Sequence, residues 1–205
     1  MNPPVLEKTL LLAAAYFDGC KVGYTGTKGY RKSTDLSKFT ACIAELEAFG
    51  IVSPDRTVFA DLGCADGRVN LLMSYFVKLS LGIEIDSEIL LEYTTRKKEL
   101  FSILEREAGI LPPENIFLFR GSSLDDRTYE EIHSRTGISF EDVDIFYTYI
   151  TLHDVFAEKI AARGRRGAHY LVYGFNRVLP RYEGFELVLP DVGSQGIAAL
   201  FKKTA

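Results

Sequence analysis

Gly63 and Gly67 stand in a short turn, Asp61-Leu62-Gly63-Cys64-Ala65-Asp66-Gly67, between an apolar run and a helical pattern. A strand that enters such a turn and leaves it as a helix presents backbone N–H groups to a polar or anionic ligand. Glycine there leaves open a volume that a side chain would occupy. Glu84 follows Gly63 by 21 residues and closes the next apolar run, the spacing that sets a carboxylate opposite a nucleoside ribose in doubly wound folds. A carboxylate accepts from both ribose hydroxyls at once. Glycines between strand and helix also occur for packing alone, so the turn and the acid carry weight together and not singly.

The elements that must position these residues follow from the alternation of apolar runs with helical patterns. Thr57 to Leu62 reads as a first buried strand, Arg68 to Val77 as a helix, and Leu79 to Ile85 as a second strand. Ser87 is a candidate N-cap for a long helix reaching about Glu107, which Pro112 and Pro113 separate from a third strand, Asn115 to Arg120. A helix over Asp126 to Thr136, a strand over Val143 to Ile150, a helix over Asp154 to Ala162 and a strand over His169 to Tyr173 continue the series. Phe185 to Leu189 and Ile197 to Phe201, joined by a turn-rich connection, predict an antiparallel hairpin at one edge. The expected fold is α/β: a doubly wound, mostly parallel seven-strand sheet with helices on both faces. Residues 1–55 hold two helical patterns, Val5 to Phe17 and Leu36 to Phe49, read as a short helical cap on the same domain as residues 56–205. Between them, the glycines Gly23, Gly26 and Gly29 with Tyr24, Tyr30 and Ser33 suit a lid that closes over a ligand, and suit a passive loop equally well.

Composition narrows the partners. With 205 residues, 47% of them apolar, the chain can bury the core of one ordinary domain. A formal net charge of -4 argues against a general nucleic-acid binder, because many phosphates would go unneutralised. The apolar run Leu10 to Ala15 is too short to span a bilayer and no signal-peptide pattern precedes it, so a cytoplasmic protein is expected. Cys20, Cys42 and Cys64 fit neither a disulfide framework nor the paired spacing of a zinc site, and are read as reduced, non-catalytic thiols.

ADLGCADGR followed by LGIEID resembles the first two motifs of class I S-adenosylmethionine-dependent methyltransferases, and the terminal hairpin resembles that family's reversed edge. The likeness covers roughly residues 57–205. It implies that Asp61 orients the amino-acid end of the donor, that Gly63, Cys64, Ala65 and Gly67 wrap it, and that Glu84 holds the ribose. Ile85 would flank the adenine, and Ser122, Ser123 and Leu124 would meet its edge. Two positions depart from the family pattern: Ala65 replaces the middle glycine, and Ser122 stands where an aspartate is common. A nicotinamide-binding fingerprint would need glycine at both Ala65 and Arg68.

The carboxyl end of the fourth strand, Tyr147 to His153, should face the transferred methyl. Methyl transfer from a sulfonium needs alignment and exclusion of water rather than a metal, and no metal site is expected. No NPPY-type tetrapeptide occurs, whereas DIFYTYIT is similar to a segment of archaeal and mitochondrial protein-lysine methyltransferases, with seven-strand histone-lysine enzymes as more distant kin. That likeness implies a protein lysine as acceptor, with Tyr149 lining the channel and Thr148 near the sulfonium. A small molecule or RNA remains an alternative acceptor, and a non-catalytic nucleoside-binding module an alternative function. Tyr147 reads as an ordinary sheet residue, and Tyr149 suits that reading as well as it suits a channel wall. His153 is expected to cap the following helix more than to act as a base, with Asp154 as a helix-start acid. Arg163, Arg165 and Arg166 read as a solvated turn.

Overall fold

Four strands carry almost unbroken burial: β1 (Val58–Asp61), β2 (Leu79–Glu84), β4 (Ile145–Tyr149) and β5 (His169–Tyr173). Burial on both faces requires helices above and below the sheet, and the computed structural model, which describes residues 2–20, 22, 33–175 and 178–204, supplies them. The sheet has seven strands in the order β3-β2-β1-β4-β5-β7-β6, with β3 at Ile116–Arg120, β6 at Phe185–Leu189 and β7 at Ala198–Lys203. All pairings are parallel except those of β7, which runs antiparallel between β5 and β6. The expected edge hairpin is therefore present, with its second strand inserted inward.

Side chains alternate across the sheet. Phe59, Tyr147, Leu171 and Tyr173 pack in one cluster with Phe17 of α1 (Pro3–Asp18), Phe39 of α2 (Leu36–Ala48), Leu71 of α3 (Arg68–Met73) and Leu100 of α4 (Ser87–Arg106). Phe146, Tyr170 and Val172 face the other way, onto Tyr129 of α5 (Asp126–Thr136) and Ile160 of α6 (His153–Arg163). The two amino-terminal helices thus complete one covering layer of the sheet. Asp18 at the end of α1 accepts from the backbone N–H groups of Leu36 and Ser37, fastening the start of α2. Most of the expected lid, including Gly23, Gly26, Gly29, Tyr24 and Tyr30, lies outside the described residues.

Several boundaries differ from the sequence expectation for local reasons. Asp86, not Ser87, caps α4, its carboxylate accepting from the N–H groups of Glu88 and Ile89. Helix α3 stops at Met73 instead of reaching Val77. The Ser74 hydroxyl donates to the Leu71 carbonyl, and the Asn115 amide donates to the carbonyls of Ser74 and Val77, so groups that would have continued the helix are satisfied elsewhere. Strand β4 begins at Ile145, after a 3-10 turn at Phe140–Asp142 closed by Ser139 and Asp142.

Sheet order reverses on either side of β1, where β2 lies to one side and β4 to the other. Ligands of open α/β sheets gather outside the strand carboxyl ends at such a point. Asp61, Glu84 and Tyr149 end the three strands that meet there.

Candidate donor and acceptor site

A cavity of about 590 Å³ opens at the carboxyl ends of these strands, within the size range of small-molecule sites. Of the residues singled out from sequence, Gly63, Ala65, Glu84, Ile85, Ser122, Ser123, Leu124, Thr148 and Tyr149 line it. Asp61, Cys64 and Gly67 do not. They shape the turn from behind: the Asp61 carboxylate accepts the Gly63 N–H at 3.2 Å, the Cys64 N–H donates to the Ile83 carbonyl, and the Gly67 N–H donates to the Cys64 carbonyl.

The turn is held against Glu84. One Glu84 carboxylate oxygen accepts the Ala65 N–H at 3.0 Å and the other accepts the Asp86 N–H at 2.8 Å, which fixes the carboxylate at the rim with lone pairs still to offer. Gly63 has open space where a Cβ would stand, so its place in the wall keeps volume for a ligand. Gly67 is different. It adopts φ +72°, and a Cβ there would come within 2.7 Å of the Tyr93 ring, so glycine is required for packing of α3 on α4. Burial pushes Asp61 up to about 8, against the Gly63 N–H that lowers it, with the nearby Glu84 and Asp66 carboxylates adding to the rise.

Opposite the turn, Ser123 is buried and donates its hydroxyl to the Leu62 carbonyl, tying the loop after β3 to the end of β1. Ser122 accepts the Leu124 N–H and shapes the same loop. Ile85 and Leu124 flank the cavity with large apolar side chains exposed to 70% and 41%, surface that an apolar face of a ligand would cover.

The end beyond β4 is formed by Thr148, Tyr149, Ile150, Thr151, Leu152, Phe156, Gly174 and Val22. Thr148 donates its hydroxyl to the carbonyls of Tyr149 and Thr151, bending the chain out of the strand. The Tyr149 ring lies beside Gly174, whose missing Cβ would stand 3.1 Å from it. Gly174 follows the carboxyl end of β5, and the strand-end rule that picked out Tyr147 to His153 would have found it; Val22 carries no such signal. Tyr147 shares its face of the sheet with Tyr149 but does not line the cavity: its ring packs against Phe39 and Phe59, and its hydroxyl pairs with Thr34 at 2.5 Å.

His153 neither caps α6 nor lines the cavity. Leu152, at φ +56°, occupies the cap position, and the His153 ring hydrogen-bonds the Tyr182 hydroxyl at 2.6 Å. Asp154 does lie in the first turn of α6. Arg163 and Arg165 are not simply solvated: Arg163 pairs with Asp126 and Glu141, and Arg165 with Asp144. Cys42 and Cys64 are buried, and burial drives both thiols up, Cys42 to about 12, which keeps them protonated near neutrality.

Sequence reasoning missed the far side of the turn. Asp66 is buried and accepts from Arg68 through both oxygens, Nε and Nη2 each at 2.9 Å. Arg68 in turn donates to the Ser33 hydroxyl and the Cys20 carbonyl, partners 35 and 48 residues away that no local pattern announces.

No family model matches the chain, and no curated protein matches it in sequence. Solved structures do match in three dimensions. An RNA methyltransferase from Salinibacter ruber, determined in complex with S-adenosyl-L-homocysteine, superposes with a TM-score of 0.54 at 13% identity, over 85% of this chain and 94% of that one. The tRNA methyltransferase TrmI from Aquifex aeolicus gives a TM-score of 0.54 at 9% identity, over 95% of this chain and 76% of that one. The chain shares the fold of these two methyltransferases. Within the methyltransferase fold, the cavity described above sits at the switch point of the sheet. Among the described residues, no helix is long and apolar enough to cross a membrane.

Proposed function

We propose that this chain is an S-adenosylmethionine-dependent methyltransferase. One observation carries the reading: one cavity is walled by Gly63 and Ala65, open at Gly63 where a Cβ would intrude, and by the carboxylate of Glu84 held at its rim. Gly63 and Ala65 would hold the amino-acid end of the donor, with Asp61 bracing the Gly63 N–H from behind, and Glu84 would hold its ribose hydroxyls. Ile85, Ser122, Ser123 and Leu124 would enclose the adenine, while Cys64 and Gly67 keep the turn in shape. The donor supplies a methyl group on a sulfonium, transferred by in-line displacement. Thr148 fixes the turn after β4, and Tyr149 forms a wall of the acceptor end. The apolar side chains of Ile150, Leu152 and Phe156 keep water from that end. A cytoplasmic setting is part of the same proposal.

For the acceptor, the short likeness to protein-lysine enzymes finds no support in the structural comparisons, while two structural neighbours are RNA methyltransferases by name. We therefore place RNA ahead of a protein lysine or a small molecule. The net charge of -4 then requires that contact with RNA be local to the mouth of the cavity.

The test is transfer of label from S-adenosyl-[methyl-labelled]-methionine into a cell extract by the wild type and by Tyr149→Ala. Nuclease-sensitive label that Tyr149→Ala reduces at least about tenfold, with donor affinity within about threefold of wild type, supports the proposal. Protease-sensitive label restores the lysine reading, and label in low-mass compounds points to a metabolite. Tight donor binding with transfer to no fraction favours a non-catalytic nucleoside-binding module.

A further inference from the structure

Ala65 sits at the apex of the donor turn with φ +50°, a left-handed conformation that disfavours alanine and that glycine adopts without strain. We propose that the buried Asp66–Arg68 pair holds Ala65 in this conformation, which makes Arg68 a positioning residue for the donor; the inference rests on the donor-site reading above.

Two restraints converge on Ala65. On the cavity side its N–H donates to Glu84 at 3.0 Å. On the far side the next residue, Asp66, is fully buried, and both its carboxylate oxygens are gripped by the Arg68 guanidinium. A carboxylate pinned at the following position fixes the peptide that Ala65 must enter, so the chain cannot relax out of the left-handed region without breaking the fork.

The grip is effective because Arg68 is itself immobile. Its Nη1 donates to the Ser33 hydroxyl at 3.0 Å, its Nη2 donates to the Cys20 carbonyl at 3.1 Å, and its guanidinium carbon lies 5.5 Å from the centroid of the Phe17 ring. Phe17 is in the core, and Arg96 of α4 comes within 3.8 Å of an Asp66 carboxylate oxygen. Buried ion pairs seldom add net stability over an apolar replacement, so a fork placed directly after a strained residue is better explained by the geometry it enforces. Lysine at this position would keep the charge but lose the two-pronged planar contact.

The experiment is a double-mutant cycle between Ala65→Gly and Arg68→Lys, read as affinity for S-adenosylhomocysteine, with thermal unfolding of the ligand-free proteins measured alongside. Arg68→Lys should weaken binding about tenfold in the alanine background and less than about threefold in the glycine background, because glycine needs no restraint at this φ. With labelled donor, the loss should fall on the donor KM and leave kcat within about twofold. Asp66→Asn probes the same pair from the other side, should show the same contrast, and decides the matter if Arg68→Lys fails to fold. An equal loss of affinity in both backgrounds would overturn the proposal, since a residue that merely supports the fold is not rescued by Ala65→Gly. Failure of the wild type to bind at all would instead remove the donor-site reading, and the proposal with it.

Discussion

Replacing Gly63 and Gly67 by alanine separates the two jobs of the donor turn. A methyl group at Gly63 would meet no other residue within 4 Å, and the backbone there is not at positive φ. Folding should therefore be unchanged or favoured by about 0.4–1 kcal/mol through a stiffer unfolded chain. The same methyl would stand in volume assigned to the donor. Forcing a methyl into filled space costs about 1–3 kcal/mol, or about 5- to 150-fold in affinity. At Gly67 the expectation inverts. Alanine at φ +72° would place its methyl 2.7 Å from Tyr93 and 2.8 Å from Leu118, and should destabilise the fold by about 1–3 kcal/mol. Thermal unfolding of the ligand-free variants, beside titration with S-adenosylhomocysteine, reads both effects. Binding by Gly63→Ala within about twofold of wild type would refute the assignment of this wall to the donor.

Glu84→Gln should keep the fold yet weaken the donor at least about tenfold, because an amide turns one acceptor into a donor facing the Ala65 or Asp86 N–H; unchanged affinity in an equilibrium titration would refute this. Tyr147→Phe strands the Thr34 hydroxyl in the core and should lower stability by about 1–2 kcal/mol with donor affinity intact, as denaturant melts and the same titration would show. Asp61 carries a pH signature. Its value of about 8 in the folded protein lies above the ordinary carboxylate value, so the native state binds the proton more tightly. Its stabilising contribution is complete below about pH 4 and is lost as pH rises through about 8. Asp61→Asn cannot ionise there, so its melting temperature should gain on the ligand-free wild type as pH rises from about 6 to about 9; a constant difference would contradict the burial argument.

What was legible in the sequence is what local periodicity encodes. The strand His169–Tyr173 and the helix Asp126–Thr136 were readable residue for residue, because apolar runs and flanking polar residues mark both. The turn from Asp61 to Gly67 and the acid at Glu84 were readable because strand, glycine and carboxylate recur at a spacing set by geometry. The cap of α4 was off by one position since Asp86 and Ser87 are both good capping residues, and only the carboxylate's reach to Glu88 and Ile89 decides between them. His153 was misassigned because its partner, Tyr182, arrives from 29 residues away. Asp66 and Arg68 went unread as a pair for the same reason: their neighbours Phe17, Cys20 and Ser33 come from the amino-terminal layer. Separations of that kind leave no periodic trace.

Equilibrium dialysis of the wild-type chain against labelled S-adenosylmethionine tests the central claim most directly, with Gly63→Val as the control that fills the cavity wall. The account predicts saturable one-to-one binding by the wild type and its loss in Gly63→Val, while both proteins melt alike. Absence of saturable binding up to about 1 mM, or equal binding by the two proteins, would contradict it.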